Sequence, residues 1–308
     1  MGRFICYLVL FVLLSTAGWA TPNLFSGPES VAWDSVHNRW LVSNYTAGNV
    51  IAVDEYGSLS IFAEGLGNCL GNEIVGNTLY VSTRTTVVGL DLTTGEQIVT
   101  IPFTPIQNMD GLAADTSGHL YAIDTGGRLF KINLSDHSTS LFVGWGLASN
   151  VQDCTFDEIH NRLLLVIWAA SASASIMAVD LPDSTVYPIC PNGIGFFDGV
   201  VTDGKGNTFA GSYAGTNSVW RWDSTYSDPP TRIAADNEGP AGLAYNRDND
   251  VLAIPNFNAN RVRFVNTVAD FTADVVLGWP PLEVTFTGST PDTVDAWSWD
   301  FGDGDTDA

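Results

Sequence analysis

Basic residues are scarce in this sequence. Lys and Arg together number 12 against 34 Asp and Glu, which gives a formal net charge of −22, and the only lysines are Lys131 and Lys205. A chain with this charge repels polyanions, so nucleic acid and anionic membrane surfaces are poor partners. The acidic excess suits a cationic or neutral ligand, and it equally suits plain solubility outside the cell.

Cysteine and histidine are also few, with four of each in 308 residues. No Cys-x-x-Cys pair and no Cys/His cluster has the spacing of a zinc site. Cys6 lies within the apolar amino-terminal run, so three cysteines remain for the folded protein: Cys69, Cys154 and Cys190. An oxidising compartment allows one disulfide among them, and we expect Cys154 to pair with Cys190 because both flank one sequence repeat.

Long apolar runs are absent apart from residues 4–14, and these fall well short of the ~20 residues that span a bilayer. Arg3 precedes this run, and Gly18-Trp19-Ala20 follows it with small residues at the positions that a signal peptidase reads. The sequence therefore predicts a signal peptide at residues 1–20, no transmembrane segment, and a secreted or cell-surface protein.

Sustained helical periodicity is missing too, and what replaces it is an internal repeat. The segment from Ser30 to Val42 recurs, with substitutions, from Asp153 to Leu165, and both copies contain the turn sequence His-Asn-Arg. Degenerate copies share an apolar anchor, and successive anchors are 39 to 46 residues apart: Val31, Leu70, Leu112, Cys154, Val200 and Leu243. A period of about 40–45 residues with several short strands per unit is typical of a β-propeller blade.

The fold class predicted for residues 22–267 is therefore an all-β, six-bladed propeller. A propeller must close its ring or leave sheet edges exposed. The last repeat ends near Val265 without an obvious outer strand. We expect residues 23–26 to supply that strand, so that the two ends of the propeller meet in one blade.

After Thr267 the repeat stops and another pattern begins. The string Trp297-Ser298-Trp299-Asp300-Phe301-Gly302-Asp303-Gly304 resembles the start of a PKD domain, a small immunoglobulin-like β-sandwich. The resemblance covers residues 268–308, about half of such a domain, and implies further domains beyond residue 308. Four alternating acids in this tail suit either a calcium site or a solvated turn: Asp300, Asp303, Asp305 and Asp307.

Polar residues recur where each repeat begins, at Glu29, Asp110, Gln152 with Asp153, and Asp198. In a propeller these strand starts converge on the mouth of a central channel. Crowded carboxylates are costly unless a cation or shared protons offset their charge, so a divalent cation is one interpretation. The alternative is that Asp-Gly before an apolar strand is turn chemistry repeated in each blade.

At these residues the chain resembles the regucalcin/gluconolactonase family of six-bladed propellers and, more loosely, NHL-repeat propellers. The resemblance rests on Pro28-Glu29-Ser30-Val31-Ala32-Trp33-Asp34 and on the Asp-Gly-[Leu/Val] strand starts. It implies a divalent metal, calcium or zinc, held by Glu29, Gln152 and Asp198, with Asp110 or Asp153 as a proton acceptor. The family has Asn-Gly where this chain has Gln152-Asp153, which puts lactone hydrolysis in doubt.

Two functions remain open at this point. The first is a secreted binding module within a multidomain protein, contacting carbohydrate, a small molecule or an extracellular protein. The second is a metal-dependent lactonase-like hydrolase with its metal at the channel mouth. No Gly-x-Ser-x-Gly elbow or phosphate-binding loop suggests other chemistry. Four tryptophans are candidates for stacking on sugars: Trp145, Trp168, Trp220 and Trp222.

Overall fold

The computed structural model describes residues 22–104, 106–144, 147, 149–170, 175–191, 194–235 and 237–267, followed by the short segments 270–273, 285–289, 299–300 and 306–307. The predicted signal peptide, residues 1–20, and Trp145 lie outside the described residues. Within them, one three-residue 3₁₀ turn, Phe257–Ala259, is the helical structure present. No helix in this part of the chain has the length and apolar character to cross a membrane.

Six antiparallel sheets follow one another along the chain, and each is a simple meander from an inner to an outer strand. Five blades have four strands and the sixth has three. In chain order the blades consist of β1 (Pro28–Asp34), β2 (Arg39–Asn44), β3 (Asn49–Val53), β4 (Leu59–Ala63); β5 (Cys69–Val75), β6 (Thr78–Thr83), β7 (Thr86–Asp91), β8 (Gln97–Pro102); β9 (Met109–Ala114), β10 (His119–Asp124), β11 (Arg128–Asn133), β12 (Thr139–Val143); β13 (Val151–Asp157), β14 (Arg162–Ile167), β15 (Ser175–Asp180), β16 (Val186–Pro191); β17 (Phe197–Thr202), β18 (Thr208–Ser212), β19 (Ser218–Trp222), β20 (Thr231–Ala234); and β21 (Ala244–Asn246), β22 (Val251–Asn256), β23 (Arg261–Asn266). The predicted six-bladed propeller is confirmed.

The core is divided into six hydrophobic clusters, and each cluster is shared by two neighbouring blades. Alternation along the strands explains this arrangement, because successive side chains point to opposite faces of a sheet. In β2, Leu41 packs toward the second blade while Trp40 and Val42 pack toward the sixth. Every blade therefore buries both faces, and the ring of clusters is complete.

The repeated His-Asn-Arg segments lie in turns between the first two strands of blades 1 and 4, as the sequence predicts. In blade 1, the Nδ1 of His37 lies 2.8 Å from Asp34 Oδ2, and Arg39 Nε donates to the same carboxylate at 2.9 Å. The turn closes through Asn38, whose φ of 51° is in the left-handed region that Asn tolerates. Blade 4 repeats this arrangement with Asp157, His160 and Arg162.

Ring closure differs from the prediction. Residues 22–27 form no strand, and the sixth blade keeps three strands among the described residues. Side-chain hydrogen bonds tie the amino terminus down instead: Asn23 Nδ2 donates to the Asn260 carbonyl, and Gly27 N–H donates to Asn260 Oδ1. The inner strands close the ring through the Gly242 N–H, which donates to the Glu29 carbonyl at 2.7 Å.

The expected Cys154–Cys190 disulfide is wrong. Cys154 is a free, buried thiol on β13, the innermost strand of blade 4, whereas Cys190 belongs to β16, the outermost strand of the same blade. Neighbouring strands are about 4.8 Å apart, so three strand spacings separate these positions by far more than a disulfide can bridge. Because the two cysteines flank one repeat in sequence, they lie at opposite edges of one sheet.

Beyond the propeller, two antiparallel pairs are described. β24 (Asp270–Ala273) pairs with β25 (Phe286–Ser289), and β26 (Trp299–Asp300) pairs with β27 (Thr306–Asp307). The Gly-Asp-Gly sequence lies outside the described residues. The PKD domain stays a prediction. The acidic tail proposed for calcium lies outside the residues whose side chains are described.

Candidate functional site

The inner strands begin with a repeated irregularity. Pairing between the first and second strands of blades 1 to 5 shifts register near its start, as it does between Pro28 and Ser30 in blade 1 and between Val151 and Asp153 in blade 4. A β-bulge of this kind inserts an extra residue and re-aims its side chain. The residues at these bulges include Glu29, Asp110, Gln152 and Asp198, which are candidates from the sequence.

The glycine of each Asp-Gly pair allows neighbouring blades to touch. A Cβ atom added at Gly199 would lie 2.0 Å from the Ala241 carbonyl oxygen, and one added at Gly111 would lie 2.6 Å from the Asp153 Cα. No side chain fits at such distances, so close packing between blades explains the glycine of each pair. Packing does not explain the acidic residue of the pair, because its side chain faces the channel axis.

These acidic side chains meet at a constriction that we call the neck. The neck is a cavity of about 10 Å³ lined by Ser30, three glycines and every predicted site residue. The predicted site residues are Glu29, Asp110, Gln152, Asp153 and Asp198. The structure thus brings all five predicted residues together. On one side of the neck lies the front mouth, where the inner strands begin, and on the other side lies a rear cavity, where they end.

Charge at the neck is poorly solvated. Burial raises the pKa of Glu29 and of Asp110 well above the usual values, and repulsion from Asp198 raises both pKa values further. Burial also raises the pKa of Asp153 and of Asp198 to about 7. The four carboxyl groups therefore retain protons near neutral pH unless a cation takes their place.

Two of the predicted residues are also engaged in local hydrogen bonds. Asp153 accepts from Val200 N–H at 3.0 Å and from Cys154 N–H at 2.9 Å, one bond to each carboxylate oxygen. It therefore ties blade 4 to blade 5, and it occupies the position that glycine holds in blades 2, 3, 5 and 6. Gln152 donates through Nε2 to the Asn150 carbonyl at 3.2 Å, which turns its amide oxygen toward other partners.

The neck fits one type of metal better than another. Its size is close to that of a single water molecule or ion, and its donors are carboxylate and amide oxygens, which calcium prefers and zinc does not. Among the described residues, no group of three or more His, Cys, Asp or Glu side chains is arranged to hold a metal ion. Metal binding by Glu29, Gln152 and Asp198 stays a prediction.

The front mouth carries a feature that the sequence reasoning missed. The residue directly after the second strand of each blade occupies an equivalent position, and in four blades it is aromatic: Tyr45, Trp168, Tyr213 and Phe257. The backbone N–H of each of these residues donates to a backbone carbonyl that precedes the inner strand of the same blade. The four acceptors, in the same order, are Gly27, Asn150, Phe196 and Gly239. Aligning the repeats at the end of the second strand would have revealed this pattern.

These rings form a continuous series with Phe196, which we call the aromatic row. Successive ring centroids are 6.0 Å apart for Tyr45 and Phe257, 6.1 Å for Phe257 and Tyr213, 5.2 Å for Tyr213 and Trp168, and 5.6 Å for Trp168 and Phe196. All five side chains are half-buried. Burial raises the pKa of Tyr213, and Asp198 and Glu29 raise it further, so the row reaches the neck.

Two other tryptophans proposed for sugar stacking, Trp220 and Trp222, lie elsewhere. Trp222 is fully buried between blades and packs edge-on against Phe197 at 5.9 Å. Trp220 is half-buried on the third strand of blade 5, where its indole N–H donates to Thr216 Oγ1 at 3.2 Å. Of the tryptophans whose structure is described, Trp168 is the one that the aromatic row contains.

Comparisons with known proteins agree with the fold. A gluconolactonase from Xanthomonas campestris aligns over 79% of this chain and 87% of its own, with a TM-score of 0.67 and 14% identity. A protein of unknown function from Bacteroides thetaiotaomicron aligns over 79% of this chain and 70% of its own, with a TM-score of 0.67 and 13% identity. An auxiliary nutrient binding protein from the same organism covers 78% and 69%, with a TM-score of 0.63 and 13% identity.

No protein-family model matches the sequence, and no curated protein matches it. At identities of 13% and 14%, the structural likeness defines the class as a six-bladed propeller and carries no activity with it. Function must therefore be argued from the channel itself.

Proposed function

We propose that this chain is a secreted binding module that holds a carbohydrate at its front mouth, with sugar rings stacked on the aromatic row. The observation that carries the proposal is the row itself, in which five half-buried rings occupy adjoining positions from four blades. Aromatic faces offer large apolar area at low entropic cost. The adjoining carboxyl and amide groups of the neck suit the hydroxyl groups of a sugar.

The combination of aromatic and polar groups supports the same proposal. Ligand sites combine apolar or aromatic walls with a few converging polar groups, and the row and the neck supply one of each. One structural neighbour is described as a nutrient binding protein, which fits a binding role without defining a ligand. The predicted carboxy-terminal PKD domain suits a multidomain extracellular protein. In such a protein, the alternative ligand to a carbohydrate is another extracellular protein.

The test is a glycan array followed by calorimetric titration of the strongest hit. Trp168→Ala and Tyr213→Ala should each weaken binding at least about tenfold, because each removes a stacking face. Tyr56→Ala is the matched control, since Tyr56 is 83% exposed in the turn between β3 and β4 of blade 1, outside the aromatic row. Equal affinity of all three variants would eliminate the front mouth as the binding site.

Lactone hydrolysis is the second candidate, and the carboxyl groups gathered at the neck favour it. A calcium ion held by Glu29, Gln152 and Asp198 would polarise a lactone carbonyl and activate water when bound. For the chain's own residues, the raised pKa of Asp110 suits it to accept or hold a proton. Asp153 is less free for that role, because both of its oxygens accept backbone N–H groups.

Hydrolysis of glucono-δ-lactone with and without a chelator separates the two functions. The binding module predicts no turnover and glycan affinity that survives the chelator. Lactonase activity that disappears in Glu29→Gln and in the chelated protein would establish the second function. Glu64→Gln, an exposed position just after β4, is the control for loss of one acid.

A further inference from the structure

A second cavity lies at the end of the channel away from the aromatic row. This rear cavity has a volume of about 450 Å³, which is within the range of sites for small organic ligands. The downstream halves of the six inner strands line it, whereas the upstream halves line the neck. Ser30 and Asp153 belong to both linings, so the neck separates the rear cavity from the front mouth.

The lining of the rear cavity is mixed, with an aromatic rim where Trp33 and Phe156 are half-buried toward the opening. These aromatic side chains come from blades 1 and 4 and so stand on opposite sides of the ring. Val31, Leu112 and Val200 also line the cavity, from blades 1, 3 and 5, but their side chains are buried in the hydrophobic clusters between blades. A ligand with an apolar or aromatic body therefore packs against the rim.

Charge in the rear cavity is predominantly negative. Glu73, Asp153, Glu158 and Asp248 line it, and Arg247 is its one basic residue among the described lining. Two of these acids have partners at the rim: Glu158 Oε2 lies 3.4 Å from Arg247 Nη1, and Asp248 Oδ2 accepts from Trp33 Nε1 at 3.4 Å. Asp153 is held by backbone N–H groups.

Glu73 is the one acid of this described lining with neither a partner at the rim nor a pair of backbone N–H donors. Its side chain is half-buried on β5 and accepts a backbone hydrogen bond from Ala114 on the neighbouring inner strand. Burial raises the pKa of Glu73 to about 8, Asp153 adds to the rise, and Ala114 N–H and the more distant Arg247 oppose it. The buried Cys154 thiol is the other titratable group beside it. When the carboxyl group of Glu73 is ionised, no cation among the described side chains lies close enough to pair with it.

We propose that the rear cavity is a second ligand site, one that binds an organic cation whose ammonium group pairs with Glu73 and whose apolar body packs on the aromatic rim. An aromatic rim alone would suit any hydrophobic molecule, and acids alone would suit a metal ion. Their combination in one cavity of this size selects an amine with an apolar body. The site is independent of carbohydrate binding at the front mouth.

The probe for this site is dansylcadaverine, a fluorescent primary amine, titrated at pH 8.5 into the full chain. Its N-acetyl derivative has nearly the same apolar body without the charge and should bind at least tenfold more weakly. Glu73→Gln should weaken dansylcadaverine at least tenfold. Glu96→Gln, an exposed acid in the β7–β8 turn of the same blade, should leave binding unchanged, as should Trp168→Ala at the front mouth.

Two further measurements guard against a variant that misfolds. Ser35 is exposed at the rim of the cavity, so Ser35→Trp should fold normally and obstruct the opening, again with at least a tenfold loss. The affinity of the unmodified protein should rise up to about tenfold from pH 7 to pH 9 as Glu73 ionises, while the amine stays charged. Glu73→Gln should lack that part of the rise.

Equal affinity for the amine and its acetylated form would overturn the proposal. So would unchanged binding in both Glu73→Gln and Ser35→Trp. Because the aromatic row contributes nothing to this assay, failure here leaves the carbohydrate proposal standing, and failure of glycan binding leaves this one standing.

Discussion

The two ends of the channel are built by the same six inner strands, yet they differ in how they are encoded. At the front, four of the six blades have an acid or amide at the bulge, and glycine follows in most blades. At the rear, one repeated position is aromatic in three blades, at Trp33, Phe156 and Tyr245, whereas Glu73 is an acid where the other five blades have uncharged residues. Repetition marks what the ring needs, and the departure at Glu73 marks what a particular ligand needs.

The largest expected effect concerns the glycine positions at the front. Gly199→Ala should destabilise the propeller by about 4 kcal/mol or more, because the new Cβ would lie 2.0 Å from a backbone carbonyl oxygen that cannot move aside without parting blades 5 and 6. Urea unfolding of the purified chain measures this loss.

The matched control is Gly204→Ala in the turn after the same strand. A Cβ there has the flexible Arg247 Cδ at 3.7 Å as its nearest neighbour, so stability should change by less than about 0.5 kcal/mol. If the two variants unfold at the same urea concentration, the close contact between inner strands, and with it the architectural role of the repeated glycine, is refuted.

The fold was predictable because its repeats have a physical cause. Each blade must bury both faces, so apolar anchors recur at a nearly constant spacing, and the turns recur with them. Ring closure was not predictable, since Asn23 and Asn260 act through side-chain bonds that leave no periodic signal. The disulfide prediction failed because closeness to one repeat in sequence does not give closeness across a sheet four strands wide.

The site was predictable in one half only. Glu29, Asp110 and Asp198 stand at corresponding bulges, so the repeat alignment also aligned their positions in space. The aromatic row repeats at a different position, directly after the second strand of each blade, which an alignment of the strand starts does not compare. Trp33, Phe156 and Tyr245 line the rear cavity at one repeated position, but no other blade has an acid where Glu73 stands, and Glu73 becomes noticeable only when its burial in the cavity is known.

The next effect in size is a fall in stability with rising pH. The carboxyl groups of the neck and Glu73 have raised pKa values in the folded protein, about 7 for Asp153 and Asp198 and about 8 for Glu73. The folded state therefore binds more protons than the unfolded state between about pH 4 and pH 8. The stability that these groups contribute is fully present below that range and is lost as pH rises through the folded pKa values.

Between pH 5 and pH 9 one group with a folded pKa of about 7, such as Asp198, should by itself lower the free energy of unfolding by about 3 kcal/mol, which lowers Tm by about 6 °C or more. Thermal scans in low-salt buffers test this, and Asp198→Asn should shrink the fall by removing one of the crowded charges. Asp54→Asn, an exposed turn position, should leave it as it is. Stability that rises over this range would contradict a protonated neck.

A divalent cation sharpens the difference between the neck and the rear cavity. If Glu29, Gln152 and Asp198 hold calcium, adding it at pH 8 should recover up to about 2.7 kcal/mol at a hundredfold excess over the dissociation constant. The recovery should disappear in Glu29→Gln and persist in Glu73→Gln, which leaves the neck intact. An unchanged Tm in millimolar calcium would count against a calcium site.

The smallest expected effect lies at the rim of the rear cavity. Arg247 forms a solvent-exposed ion pair with Glu158 at 3.4 Å, so Arg247→Gln should change the free energy of unfolding by less than about 0.5 kcal/mol. Removing this lone cation should nevertheless tighten dansylcadaverine binding about two- to fivefold at low salt, because the ammonium group no longer meets a like charge. Arg232→Gln, an exposed position on β20, is the control. Tighter binding that persists at 1 M salt would indicate relief of steric blocking rather than of charge, since the Debye length there is about 3 Å.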